Sequence, residues 1–296
     1  MTQPRTFSIT HRTRFAYDAD VRTSFGRAHL LPRTGPGQPE ATGEVVVDPA
    51  PDEQREHVDA FGNRSVYFAV RAPHRELTVL ARSTVVVDRV AVALDGDPWE
   101  AVRDALPKSP QRSWVLPSPR LPVLPEVAAY AAASFPPERP IGEATADLCA
   151  RIHRDFRYAS GTTTVKSTLT DLLDGGAGVC QDFAHLAVAA LRSVGLAARY
   201  VSGYLETSPP PGMPKLRGAD ASHAWVSAWT GSGWLDVDPT NDAVIGPSYV
   251  VLAHGRDYAD VPPLRGVLFS NRSSVSRMSV EVDMDRADGS GASVVE

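Results

Sequence analysis

The sequence predicts an α+β fold made of two unlike parts, on three observations. Residues up to about Val92 carry compact β-branched runs separated by Pro, Gly and Asp turns. A proline-dense stretch from about Asp95 to Pro125 then interrupts the pattern. Beyond it the apolar spacing turns helical, and later alternates again as strands do. With 296 residues, the chain is long enough for each part to bury a core of its own.

In the first part, "RTFSITHRTRFAY" alternates loosely, and "EVVVDP", "RSVYFAVRA" and "ELTVLARSTVVVDRV" are dense in Val, Thr and aromatic residues. Their spacing predicts an antiparallel, β-sandwich-like module over residues 1–95. Residues 96–125 hold Pro98, Pro107, Pro110, Pro117, Pro119, Pro122 and Pro125, and read as a linker with one short helix. Residues 126–272 form the second part. "LPEVAAYAAASF" reads as an alanine-rich helix ended by Pro136 and Pro137. "GEATADLCARIHRDFRY" spaces Ala144, Leu148, Ile152 and Phe156 as one helix face, and "STLTDLLDGG" opens on a Ser/Thr cap and closes on glycine. A further helix starts at Cys180 and runs to about Val194, with Gly195 as its stop. "AARYVSGYL" reads as a strand, "ETSPPPGMPKLRGAD" as a loop, and two strands flank the turn "TGSG". Residues 273–296 are expected to give a C-terminal strand and a frayed tail.

A hydrophobic fraction of 43% and a charged fraction of 22% are ordinary for a globular chain. The net charge of −5 argues against nucleic acid as a partner, because phosphate binding needs a surplus of Lys and Arg. No apolar run approaches the roughly 20 residues that cross a bilayer, and the first residues hold no secretory signal, so the expected location is cytoplasmic. The cysteines, Cys149 and Cys180, lack a CxxC spacing, and no metal cluster or cofactor motif stands out.

Cys180 draws attention because a glycine-rich turn, "GGAGV", precedes it. In the first turn of a helix, unpaired N–H groups and the positive dipole end favour a thiolate. The same site offers the Cys180 N–H to an incoming carbonyl oxygen. The plain alternative is a small buried hydrophobe. A catalytic thiolate needs an imidazole, and the imidazole an acceptor that orients it. In "SHAWVSAW" and "WLDVDP", alternation puts His223, Trp225, Ser227 and Trp229 on one face, and Trp234, Asp236 and Asp238 on one face. If Trp229 pairs with Trp234, Asp238 lies diagonally from His223, within side-chain reach, whereas Asp236 does not. A slip of one residue would undo this. Taken singly, His223 reads equally as an ordinary strand histidine and Asp238 as part of an Asp-Pro-Thr turn.

These segments resemble the transglutaminase-like superfamily, whose core is papain-like. "GAGVCQDFAHLAVAALRSVGLAARYVSGYL" resembles its nucleophile segment, and "SHAWV" and "GWLDVDPTND" its histidine and aspartate segments, in that order. "GRDYADVPPLRG" and "FGNRSVYF" resemble flanking stretches of a bacterial subgroup with a β-rich N-terminal domain. The resemblance implies a helix carrying Cys180 packed on an antiparallel sheet carrying His223 and Asp238. It also implies acyl transfer: Cys180 attacks an amide carbonyl of a peptide or protein, His223 moves the proton, Asp238 fixes the imidazole, and a thioester forms. Water or a primary amine then completes the reaction, and the sequence leaves both open. Candidates for stabilising the oxyanion or contacting substrate are Gln181, Tyr158, Tyr204 and Trp225. Asp182 reads as a first-turn helix carboxylate, His185 as a helix histidine and Cys149 as an inert core residue. Two other readings stand beside this one: an idle transglutaminase-like scaffold that binds a partner protein, and a thiol redox enzyme, which the absence of a nearby resolving cysteine disfavours.

Overall fold

The computed structural model describes residues 3–90, 92–162, 167–207, 221–270 and 275–287. The expected loop at 206–220 and the expected frayed end therefore lie largely outside the described residues.

The first part contains β1 (Arg5–Ala28), β2 (Glu40–Asp48), β3 (Glu53–Val58), β4 (Arg64–Val70) and β5 (His74–Val87). β1 is long enough to serve two half-sheets. Its first half pairs with β5, and after an irregularity between Ala16 and Val21 its second half pairs with β4. The halves close on one apolar core: Val45, Val47, Leu77, Val79 and Ala81 from one side meet Ala28, Val66, Phe68 and Val70 from the other. This is the antiparallel, sandwich-like domain that the β-branched runs call for.

The proline-dense stretch is more structured than a linker. It holds α1 (Trp99–Ala105) and 3-10 turns at Leu106–Lys108 and Pro110–Val115. The buried Arg192 donates to the carbonyl of Trp114 at 2.8 Å and to those of Ala198 and Arg256, which ties this stretch to the second part.

The second part runs through α2 (Pro125–Ala132), α3 (Ile141–Asp155), β6 (Arg157–Tyr158), α4 (Leu169–Gly175), β7 (Ala177–Gly178) and α5 (Cys180–Ser193). It continues through β8 (Ala198–Leu205), β9 (Ala221–Trp229), β10 (Trp234–Asp238), β11 (Ala243–Val244) and β12 (Tyr249–Gly255). The helix signals act as expected. Thr168 accepts from the Asp171 N–H while Asp171 accepts from that of Thr168, and Gly176 ends α4 with φ of +62°. Ala144, Leu148 and Ile152 are fully buried on α3. The five-stranded sheet has the order β11-β10-β9-β8-β12. Ala224, Val226 and Ala228 of β9 share a core with Phe183, Leu186, Val188 and Leu191 of α5.

The chain then returns. β13 (Leu264–Ser270) and β14 (Ser276–Arg286) both pair with β1, so the last strands, 264–270 included, complete the N-terminal sheet rather than extend the core. β14 brings Val282 and Met284 beside Phe7, Ile9, Val85 and Val87 in the same apolar cluster as α3 and α5. One further contact joins the halves. β12 is an edge strand, and two side-chain amides act as its missing neighbour. Gln38 donates to the Val251 carbonyl (2.8 Å) and accepts from its N–H (2.9 Å); Asn63 does the same at His254 (2.8 and 2.8 Å). Asn63 belongs to "FGNR", and its role gives that segment a physical purpose. No helix among the described residues is long and apolar enough to cross a membrane.

Candidate active site

Cys180 is the first residue of α5 and is half-buried. Its position follows from the glycines before it. Gly178 pairs with Tyr158 in the short β6–β7 ladder, and a Cβ there would lie 2.9 Å from the Asp182 carboxylate and from Leu172. The space lets Asp182 fold back and accept from the Val179 N–H at 2.9 Å. Asp182 thus satisfies a first-turn donor, the structural role its position predicts.

The β9–β10 hairpin has the register expected from its tryptophans. Trp234 pairs with Trp229, Asp236 with Ser227 and Val237 with Val226. Asp238 therefore falls diagonally from His223, and its Oδ2 lies 2.7 Å from His223 Nε2. That contact leaves Nδ1 for the other side of the ring, and Cys180 is near enough to His223 to raise the imidazole's pKa. Three residues distant in the sequence thus come together at one place.

Asp238 is fully buried, and a lone buried carboxylate is costly. Besides His223, its oxygens accept from Asn241 Nδ2 (2.6 Å), the Tyr249 hydroxyl (2.9 Å) and the Thr240 N–H (2.8 Å). Burial would raise its pKa; hydrogen bonds from His223, Asn241 and Thr240 and the charge of His223 outweigh it, and the pKa is lowered. For His223, burial would lower the pKa; the hydrogen bonds to Asp238 and Cys180 and their charges outweigh it and raise it to about 9.

Asn241 and Tyr249 were not singled out in the sequence. Asn241 carries a local signal, since "DPTN" places a side-chain amide three residues past the aspartate. Tyr249 carries none, because it reaches Asp238 from β12 across the sheet.

The other candidates separate. Gln181 is buried next to Cys180. Tyr158 is exposed on β6, beside the turn that leads into α5. Tyr204 is buried with its hydroxyl 2.9 Å from His11 Nδ1, so its phenol faces the N-terminal sheet rather than the thiol. Trp225 is fully buried against Val201, Tyr249 and Val251, and walls no open groove. His185 is buried and accepts from the Tyr258 N–H at 3.1 Å, as a structural histidine. Cys149 is fully buried on α3, and burial pushes its thiol well up.

Gly203 lies opposite His223 on β8, where a Cβ would run into the Trp225 ring and the Val250 carbonyl. Gly203→Ala is expected to cost about 1–3 kcal/mol through overpacking. It should also displace Trp225, whose ring centre is 6.2 Å from that of His223. Thermal unfolding, read beside the rate of Cys180 alkylation, checks this; an unchanged midpoint would refute the tight contact.

A cysteine-headed helix on a sheet bearing histidine and aspartate defines the papain-like class of α+β core. Residues 129–239 match the transglutaminase-like superfamily, and residues 7–86 match the bacterial transglutaminase-like N-terminal region. The chain belongs to the transglutaminase-like superfamily. It is 44% identical over 288 residues to an uncharacterized protein of Mycobacterium tuberculosis, covering 93% of this chain and 92% of the relative. It is 36% identical over 281 residues to an uncharacterized protein of Mycobacterium leprae, covering 94% and 98%. Among solved structures it is similar in fold to a candidate cysteine protease from Cytophaga hutchinsonii, with a TM-score of 0.74, 22% identity, and coverage of 98% and 93%.

Proposed function

We propose that this protein is a cysteine-dependent acyl-transfer enzyme acting on peptide or protein amides, with Cys180 as nucleophile, His223 as proton carrier and Asp238 as the residue that orients the imidazole. The observation that carries the reading is the 2.7 Å contact from His223 to the buried Asp238, with Cys180 at the head of α5 near enough to help raise the imidazole's pKa. Sγ attacks the amide carbonyl, and the thiol proton rests on His223. The Cys180 N–H, which has no acceptor within its own helix, is one donor for the oxyanion, and Gln181 or Tyr158 supplies the second. His223 protonates the departing nitrogen, the C–N bond breaks, and the acyl group stays on sulfur as a thioester. Water or a primary amine, deprotonated by His223, attacks the thioester and frees the thiol.

Iodoacetamide at neutral pH tests the thiol. Cys180 is expected to alkylate fast, more slowly in His223→Ala, and Cys149 to stay unlabelled in the folded protein. Equal slow labelling of both cysteines would overturn the enzymatic reading in favour of an idle scaffold. A glutamine-containing peptide incubated with and without a primary amine, with products weighed by mass, separates transamidation from hydrolysis.

The raised pKa of His223 sets an alkaline limit. Leaving-group protonation requires the imidazolium, so kcat/KM should fall about ten-fold per pH unit above the histidine's pKa, which stands at about 9. Alkylation of Cys180, which needs no acid, should not fall with it. A turnover profile flat to pH values well above 9 would remove His223 from the proton transfer.

A further inference from the structure

On the sheet face that carries His223, the row beyond Trp225 is formed by Ser227, Arg199 and Asp236. Above it lies a cavity of about 840 Å³ between the loops of the N-terminal domain and the β9–β10 hairpin. Cys180, His223 and Asp238 do not line it. Its volume suits a small organic ligand.

Three arginines converge there: Arg33, Arg89 and Arg199. Arg89 forms an ion pair with Asp236 at 3.2 Å. Among the described residues, Arg33 and Arg199 have no carboxylate at ion-pair distance; Arg33 Nη1 donates to Asn63 Oδ1 and to the Phe61 carbonyl, which leaves its other nitrogens, and Asp59 and Asp236 act on the two guanidiniums only from further away. Arg199 is held in place, its Nε on Ser227 Oγ at 3.2 Å and its guanidinium carbon 3.9 Å above the Trp234 ring. A second observation points the same way. His254 lines the cavity, is 8% exposed, and its Nδ1 has no hydrogen-bond partner. Burial, then the charges of Arg199, Arg33 and Arg89, keep this imidazole neutral. A buried polar atom without a partner is costly unless something supplies one.

We propose that this cavity is a ligand site for a singly charged carboxylate attached to an apolar body. Arg33 and Arg199 take the carboxylate and the His254 Nδ1–H donates to it, while Trp229, Trp234 and Ile245 enclose the remainder. Two guanidiniums free of a contacting carboxylate match one anionic head. Asp236 and the exposed Asp88 at the rim disfavour a doubly charged phosphate. The site is separate from the triad and stands or falls independently of it.

Calorimetric titration of the full chain with 4-phenylbutanoate, 4-phenylbutan-1-ol and phenyl phosphate tests the proposal. The carboxylate should bind at one site per chain, with the alcohol and the phosphate each about ten-fold weaker. Arg199→Met should weaken the carboxylate by about ten-fold. Because Arg199 also braces Trp234, Val90→Glu supplies a variant at an exposed rim position that should fold normally and still weaken binding several-fold by repulsion. Cys180→Ala should bind like the wild type. No saturable binding at millimolar concentration, equal affinity for acid and alcohol, tighter binding of phenyl phosphate, or an unchanged Kd in Val90→Glu would each overturn the proposal. So would protection of Cys180 from iodoacetamide that survives Arg199→Met, since the carboxylate would then sit at the triad.

Discussion

Replacing Cys180 with alanine is expected to abolish amide turnover, with a loss of about 10⁴-fold or more, and to leave the fold standing. The contrast follows from where the residue sits. It is half-buried at the first position of α5, and alanine is a better helix former than cysteine. The apolar packing of α5 depends on Phe183, Leu186, Val188 and Leu191 rather than on the sulfur. Loss of the sulfur should also reach the imidazole. Cys180 is one of the two partners that hold the His223 pKa at about 9, so in Cys180→Ala this histidine should titrate at lower pH, readable by NMR. Turnover within ten-fold of wild type would sink the assignment of the nucleophile, and an unmoved His223 titration would deny the contact between the two side chains.

Replacing Asp238 with alanine should harm both stability and rate. Removing one member of a buried, hydrogen-bonded charge pair costs about 3–5 kcal/mol. Here Asn241 Nδ2 and the Tyr249 hydroxyl lose their acceptor as well. The rate should fall by roughly 10²–10⁴-fold, because the imidazole loses the group that fixes its tautomer and its angle. Asp238→Asn keeps the shape and should recover most of the stability but little of the rate. Denaturant unfolding and kcat on a peptide amide separate these effects; a loss of stability with normal kcat would make Asp238 a structural residue only.

The pair also links stability to pH. The His223 pKa is raised above its ordinary value of 6.5, so its contribution is complete below 6.5 and is lost as pH rises through about 9. The Asp238 pKa is lowered from 3.8, so its contribution is present above 3.8 and is lost as pH falls through its folded value. Asp238→Ala should flatten both limbs.

Much of the site was legible because a hairpin has only one discrete variable. Once Trp229 faces Trp234, side-chain alternation puts Asp238, and not Asp236, next to His223. The helices were legible through their caps and stops. β3 was not, because "EQREHV" is almost wholly exposed and lacks the apolar alternation that marks a half-buried strand. β12 gives no signal for the opposite reason: "YVVLAHG" is buried on both faces and has no period. The pairing of β13 and β14 with β1 joins residues more than 200 positions apart in the chain, and no local pattern encodes a partner that remote. Tyr204 meets His11 across a separation of 193 positions, while Tyr249, only 11 positions from Asp238, reaches it from a different strand of the sheet.

The amides of Gln38 and Asn63 have a practical consequence for anyone dissecting this protein. A fragment cut down to the thiol-bearing half would shed both clasps on Val251 and His254, together with the strands that carry Phe7 and Met284 into the shared core. It would present a bare ribbon of peptide groups flanked by newly wetted hydrocarbon, which is the recipe for self-association. Such a truncation should precipitate rather than work, because the N-terminal segment covers the surfaces that would otherwise associate.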